Sequence, residues 1–392
     1  MGGVVGKALR LGLVVLTVIL LAGCWDNLDL ERRALVLGAF VDLASSSPDK
    51  FELTLEMPIL RRMAARPGAG GGGGGEGREE TLPTWRLTVT GTTFAEAMRK
   101  AATRSERQLF FGHQKVLLIG EELARREKLE EVIDFWARNR ESYLAITVLL
   151  AQGRAGEIFS AHPKFARSVS MFLQEQSERQ IRTSRFVKHN LMELFAALYG
   201  GRDILVSRVR TVPGQDSLEL EVSGTGIIKE GKLVGWLSPE ETQAALWVTG
   251  EGRGGDIIPL PLPEIKHIFT LELCNVKNKI RAQVKEDKPE FNIKLEVMAD
   301  ILERIGFTEP FNPPILRYIE ARAAEIIKKR VEGVVFKLQK EYQADVLGFG
   351  KKIEEVQPRW WQQVKGNWRE LYARAPVRVE VKVKIRSTGM VS

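Results

Sequence analysis

The apolar run at residues 11–22, broken only by Gly12 and Thr17 and followed at once by Gly23 and Cys24, constrains this chain more than any other feature. Lys7 and Arg10 precede it, and no acid does. A helix that crosses a bilayer needs about 20 apolar residues, so this run is too short. A charged start, a short apolar middle and small residues at the exit are instead the anatomy of a secretory signal, expected here over residues 1–23. Leu21-Ala22-Gly23-Cys24 has the form of a bacterial lipobox, where a diacylglyceryl group is attached to the cysteine before cleavage. Cys24 is therefore expected to begin the mature chain and to carry acyl chains of the palmitate type. Two or more such chains hold a protein on a membrane where one does so only marginally.

That expectation decides how the rest must be stabilised. Cys274 is the one other cysteine, so with Cys24 alkylated no intrachain disulfide can form. Residues 24–392 must then rely on hydrophobic cores, and they suffice for two or three domains. The formal charge is +8, with Lys7 and Arg10 both inside the expected signal. Cations and acids are mixed along the chain, which suits an anionic membrane surface or an acidic partner and argues against nucleic acid. No later apolar segment approaches membrane-spanning length.

Residues 51–60 and 85–90 read as strands, separated by a glycine-rich loop at 67–77 that includes Gly70 to Gly75. Glycine in such numbers has a high ordering entropy and nothing to pack, and no closing Lys-Ser or Lys-Thr makes it a phosphate cradle. Thr93-Phe94-Ala95-Glu96 forms a capping box. A helix over 121–139, strands at 116–119 and 144–150, and helices over 165–176 and 186–199 follow. Strand and helix in alternation predict an α/β sheet with helices packed on it. Gly200-Gly201 ends the last of these helices, and a break is expected there, giving an N-terminal domain over 24–200 and a C-terminal domain over 201–392.

The second domain opens with a hairpin around Glu230-Gly231. Ser238-Pro239-Glu240-Glu241 then starts a helix, with serine as cap, proline in the first turn and glutamate at the third position. Strands are expected at 268–274, 279–284 and 291–298, a long amphipathic helix over 315–346, and a Trp-rich helix. In the final strand, 376–386, Val377, Val379, Val381, Val383 and Ile385 point one way.

No catalytic constellation stands out. His113, His162, His189 and His267 include no pair with the spacing of a helical metal site, and there is no Gly-x-Ser-x-Gly elbow. Gly224-Thr225-Gly226 lies within a strand and marks a bulge, not a dinucleotide site. Cys274 reads as a packed thiol, and Glu121-Glu122 and Glu240-Glu241 as first-turn acids that favour the helix dipole. No cofactor, metal or enzymatic activity is expected. The candidate interface residues are Trp25, Trp360, Trp361 and Trp368. Trp361 and Trp368 share a helical face, with Trp360 about 100° from Trp361. A tryptophan facing the sheet packs there, whereas one left exposed anchors a partner or rests at lipid headgroups.

Five segments in order carry a resemblance. They are Gly23-Cys24-Trp25-Asp26; Arg107-Gln108-Leu109-Phe110-Phe111-Gly112-His113; Lys232-Leu233-Val234-Gly235-Trp236-Leu237 with Glu241-Thr242 and Leu246-Trp247; Asp345-Val346-Leu347-Gly348-Phe349-Gly350; and the stretch from Trp360 to Trp368. Together they resemble the Ger(x)C family, the lipoprotein C subunit of the nutrient germinant receptors of endospore-forming bacteria. The resemblance implies a multi-domain α/β (mixed α+β) fold of mixed sheets with packed helices. It also implies a membrane complex with two integral-membrane subunits, of A and B type, on the outer face of the spore's inner membrane. It names no nutrient and does not place germinant contact on this subunit. The competing classes are a lipid-anchored cell-wall hydrolase, which lacks its catalytic groups here, and a solute-binding lipoprotein of a transporter, which needs two similar lobes.

The lipid site makes a direct prediction. Replacing Cys24→Ala removes the thiol on which both acylation and cleavage depend, so the precursor accumulates and incorporates no labelled palmitate. Equal label in wild type and variant would show that Cys24 is not the attachment point.

Overall fold

The computed structural model describes residue 12 and residues 32–45, 50–59, 83–179, 184–252, 254–262, 267–306 and 310–389. Apart from residue 12, the signal segment lies outside the described residues, as do Cys24, Trp25 and the glycine-rich loop.

The chain starts with strands β1 (Arg33–Leu35), β2 (Gly38–Leu43), β3 (Phe51–Pro58) and β4 (Thr84–Gly91), then helix α1 (Phe94–Arg104). Next come β5 (Gln108–Phe110), β6 (Val116–Gly120), α2 (Glu121–Arg126), α3 (Leu129–Arg138), β7 (Thr147–Ala151), α4 (Val169–Glu178) and α5 (Leu191–Tyr199). With β8 (Ile204–Pro213), β9 (Leu218–Lys229) and β10 (Lys232–Leu237) they build an eight-stranded mixed sheet, ordered β10-β9-β8-β7-β6-β2-β3-β4. Its centre, β2-β6-β7-β8, is parallel, and both wings are antiparallel. β1 and β5 form a separate parallel pair.

Parallel strands are covered on both faces, which is why β6 and β7 are buried throughout and apolar but for Thr147. Leu117 and Ile119 face Val132, Ile133 and Trp136 of α3 and Leu191 and Leu194 of α5. Val116 and Leu118 face Ile158, Phe159, Val169 and Leu173 on the opposite side. Two acids on neighbouring strands fasten that second layer. Asp42 accepts the amides of Ala155 and Gly156 at 2.8 and 2.9 Å. Glu56, fully buried, accepts the amides of Val169 and Ser170 and the Ser170 hydroxyl, at 3.1, 2.8 and 2.6 Å.

The second sheet follows helix α6 (Pro239–Thr249). It comprises β11 (Asp256–Leu262), β12 (His267–Lys285), β13 (Lys288–Ile305) and, after the helices, β14 (Val377–Ser387). They lie in that order, antiparallel until β14 joins β13 in parallel. Its inner face packs on α7 (Pro313–Phe336), α8 (Phe349–Val356) and α10 (Trp368–Arg374), with α9 (Pro358–Val364) lying outside them. Thr242 to Val248 of α6 are buried without exception. A helix buried on every side over this stretch is a core helix, and α6 shares one core with Leu205, Ile227 and Leu237 of the first sheet and with Phe269 and Leu271 of the second.

Several expectations are corrected. The break placed at residue 200 does not end the first sheet, because β8, β9 and β10 follow it and join through Leu150↔Arg208 and Ala151↔Val209. A helix expected over 121–139 is two helices, since the Leu129 amide bonds Gly231 of the hairpin turn at 2.8 Å instead of continuing the helix. The helix expected from 165 begins at Val169, capped by Ser168, and the one from 186 begins at Leu191 behind an Asn190–Glu193 capping box. The strands expected at 268–274 and 279–284 are a single strand with a register shift between Leu273 and Asn275. The long helix stops at Phe336 and continues as a π-turn, Lys337–Tyr342, in which the Gln339 amide reaches the carbonyls of Tyr372 and Ala375.

Other local readings hold. Ser238 and Glu241 form a reciprocal capping box with Pro239 behind it. Gly224, at φ 78°, sits in a bulge where Ser207 pairs Thr225 and Val209 pairs Val222. At Thr93 the hydroxyl caps Glu96, but the glutamate returns to the Thr92 amide, one residue early.

Glu56 supplies the test of this layer. Glu56→Ala strands three buried donors, each costing about 1–3 kcal/mol, so a loss of at least about 3 kcal/mol is expected in urea unfolding. Lys50→Ala, which breaks only the exposed pair with Glu127, is expected to cost under about 1 kcal/mol. Similar midpoints for the two variants would show that Glu56 does not anchor α4.

Candidate functional site: the junction of the two sheets and the groove beside it

Glycine at 235 allows the first close contact between the sheets. A Cβ there would lie 2.2 Å from the Tyr342 ring, so β10 and the π-turn touch backbone to ring. Lys229 donates to the Tyr342 carbonyl at 3.0 Å, and Lys337 reaches both oxygens of Glu241 at 2.8 Å. Trp236 turns the other way and donates to Glu121 at 3.1 Å, tying β10 to α2.

Two aspartates complete the junction. Asp203, just ahead of β8, accepts the Asp345 amide at 2.9 Å and a two-pronged contact from Arg369 at 2.8 and 3.1 Å. The Asp345 carboxylate in turn accepts the Phe349 and Gly350 amides at 2.8 and 2.6 Å and the Trp368 indole at 2.9 Å. It thereby starts α8 and fixes α10 in one contact. Phe349 stacks on Phe291 of β13, with ring centroids 4.4 Å apart and planes 15° from parallel. Burial pushes the Asp345 carboxyl up to about 6, against the lowering effect of those three hydrogen bonds.

The C-terminal tryptophans belong to this packing. Trp368 is 8% exposed and meets Trp361 edge-on at 5.2 Å. The shared face expected for the pair is real, although a 3₁₀ turn at Lys365–Asn367 interrupts the helix between them. Trp360, half-buried, donates to Asp287 at the β12–β13 turn at 3.3 Å. Trp25 and Cys24 lie outside the described residues.

The remaining sequence candidates are dispersed. His189 contacts the Leu205 carbonyl at 2.9 Å, and His113 rests its ring edge on Phe110. Among the described residues no group of three or more His, Cys, Asp or Glu could hold a metal ion. Cys274 occupies the β12 bulge, with the Arg386 guanidinium 3.5 Å from its sulfur, and burial raises its pKa.

One feature escaped sequence reading. A groove of about 920 Å³ is lined by the far half of β12, the starts of β13 and β14, and α8. Six cations line it, Lys279, Arg281, Lys285, Lys351, Lys352 and Arg378, against Glu290 and Glu355. The signal was the alternation of Lys277, Lys279 and Arg281 in a strand, which local pattern reads as an ordinary wet face.

Asp345 gives this site a pH signature. The folded protein holds its proton to about pH 6, whereas the unfolded carboxyl ionises near 3.8. The stability tied to that proton is full below about pH 4 and is lost as pH rises to about 6, on the order of 3 kcal/mol in all. In Asp345→Asn this dependence vanishes. Wild type minus variant, measured by urea unfolding, is expected to shrink by roughly 3 kcal/mol from about pH 4 to about pH 7. A pH-independent gap would show that folding does not raise the pKa of this carboxyl.

Comparison with known proteins matches both halves of the chain to one family. Residues 26–211 match the family model of the spore germination protein N-terminal domain, and residues 223–389 match that of the spore germination B3/GerAC-like C-terminal domain. The seam falls between β8 and β9, inside the first sheet. The chain is similar to spore germination protein YndF of Bacillus subtilis (strain 168), with 26% identity over 97% of this chain and 96% of that one. Spore germination protein B3 of the same organism is also 26% identical, over 98% and 99% respectively. The crystal structure of the GerBC protein has the same fold, with a TM-score of 0.59 and 21% identity over 90% of this chain and 99% of that one. Among the described residues no helix is long and apolar enough to cross a membrane. With both family models matched in order from residue 26 to residue 389, the chain belongs to the Ger(x)C family of spore germination proteins.

Proposed function

We propose that the chain is the lipid-anchored C subunit of a nutrient germinant receptor, acting without catalysis through contacts with two integral-membrane subunits of A and B type. Its place is the outer face of the spore's inner membrane, held by acyl chains on Cys24. The observation that carries this is the end-to-end match to spore germination proteins, among them B3, KC and A3 of Bacillus subtilis (strain 168). Supporting it, the buried acids Asp42, Glu56 and Asp345 all accept backbone amides and hold elements together. A lipid tether confines the folded part to the plane of its partners, so contacts weak in solution suffice.

Deleting the gene in a strain without paralogous receptors is expected to leave sporulation intact and to abolish dipicolinate release with the nutrients this receptor senses. Calcium dipicolinate, which bypasses receptors, still germinates those spores. Wild-type chain restores the nutrient response and Cys24→Ala does not. A cell-wall hydrolase would instead slow wall breakdown under every trigger, and a transporter lipoprotein would show a growth defect on one solute with normal spores. Normal dipicolinate release with every nutrient tested ends the receptor assignment.

A further inference from the structure

β12 has a long unpaired edge. β11 covers it only from His267 to Leu273, and beyond that β13 is its one strand neighbour among the described residues. Residues 275–285 thus present amides and carbonyls on a side where no other described strand lies, the form in which a sheet accepts another chain. Natural edges of this kind are blunted by shortness, proline or bulges. Here the stretch contains no proline, and its pairing with β13 runs without register shift from Asn275 to Lys285. The end of α6 meets the stretch at Asn278, which donates to the Val248 carbonyl at 2.6 Å, and the outer face carries charge of a single sign: Lys277, Lys279, Arg281 and Lys285 alternate along it.

The groove described above takes in the outer residues Lys279, Arg281 and Lys285 of this stretch and continues past Asn292 of β13 to Arg378 of β14. Lys285 pairs with Glu290 at 3.2 Å and Lys352 with Glu355 at 2.7 Å. Lys279, Arg281, Lys351 and Arg378 have no ion-pair partner among the described residues. On the inner face of the same stretch, Ile280, Ala282 and Val284 are partly buried against the core, and Val356 of α8 is 44% exposed at the groove. The edge is therefore basic on one face and apolar on the other, with period two.

We propose that this edge takes an extended, acid-rich segment of a partner protein as an added β-strand. The segment alternates acidic residues, set against Lys277, Lys279 and Arg281, with apolar residues set toward Ile280, Ala282 and α8. At about 3.3 Å per residue, roughly ten residues fill the edge. Main-chain hydrogen bonds supply the affinity and the alternating side chains the selection. A flat anionic membrane would meet the outer cations but would not enter between β12 and α8 or reach the backbone edge, so the geometry favours a strand. From the receptor assignment the inference takes only that this chain works through a protein partner.

The probe is a ten-residue peptide of alternating glutamate and valine, capped at both ends, titrated into the mature chain carrying Cys24→Ser at low salt. Binding is read by anisotropy of a labelled peptide and by amide hydrogen exchange. The expected result is binding that slows exchange within residues 275–285 at least about tenfold. It weakens at least about tenfold for a lysine–valine peptide, for a glutamate–proline peptide of equal charge, and for the double variant Lys279→Glu, Arg281→Glu, whose melting temperature stays at the wild-type value. Three results overturn the proposal: no protection at 275–285, equal binding of the proline peptide, or displacement of the peptide by phosphatidylglycerol vesicles that themselves protect the same amides. All of these are read on the isolated chain, whereas the receptor assignment is tested by the germination phenotype of the deletion strain, so either can fail without the other.

Discussion

Asp345 holds three donors that nothing else in its surroundings can satisfy. Two are the first amides of α8, which would be orphaned at a buried helix start, and the third is the indole of Trp368 on α10. Its own amide is held by Asp203, so the residue is fixed from both ends, one end belonging to each sheet. The stacking of Phe349 on Phe291 and the seat of Trp361 against Trp368 follow from where those helices begin. Leaving such donors unmade costs more than a surface ion pair returns. That asymmetry explains why a buried acid is kept at this point despite its desolvation.

The first sheet uses the same device. Asp42 holds the turn at Ala155 and Gly156, and Glu56 holds the start of α4. In each case a side chain from a strand finishes the hydrogen bonding of a segment more than a hundred residues away. No disulfide is available to tie these segments, since the described residues hold one free cysteine, Cys274. Carboxylates reaching across the chain set the geometry of the connections, and the cores supply the bulk of the stability.

Local signals were legible where the physics is local. Ser238, Pro239 and Glu241 announced a helix start, Gly224 a bulge, and Val377, Val379 and Val383 a half-buried strand; each is found where the residues indicated. Legibility failed where the deciding partner is distant. Nothing in residues 204–237 reveals that their neighbour is β7 and not β11, so a pair of glycines at 200 read as a boundary. The bulge at Cys274 shifts the alternation by one residue, which makes one strand look like two. Leu338 and Tyr342 keep the apolar rhythm of α7 through a π-turn, so the rhythm alone could not show where the helix stops. Asp345 read as part of a recurring motif without a role, because its three donors lie up to 23 residues away.

The β12–β13 hairpin extends beyond the cover of β11 for residues 275–285, about 35 Å at the rise of a strand. Its root is clamped in a packed core, and its tip is held by the contact between Asp287 and Trp360. β14 flanks β13 from Phe291 to Asp300, so the part of the hairpin free of both outer strands is its end, residues 283–290. Trp360 is followed by Trp361, which bears on Trp368 and through it on Asp345. The turn of the hairpin and the seam between the two sheets are thus seated by one run of three tryptophans.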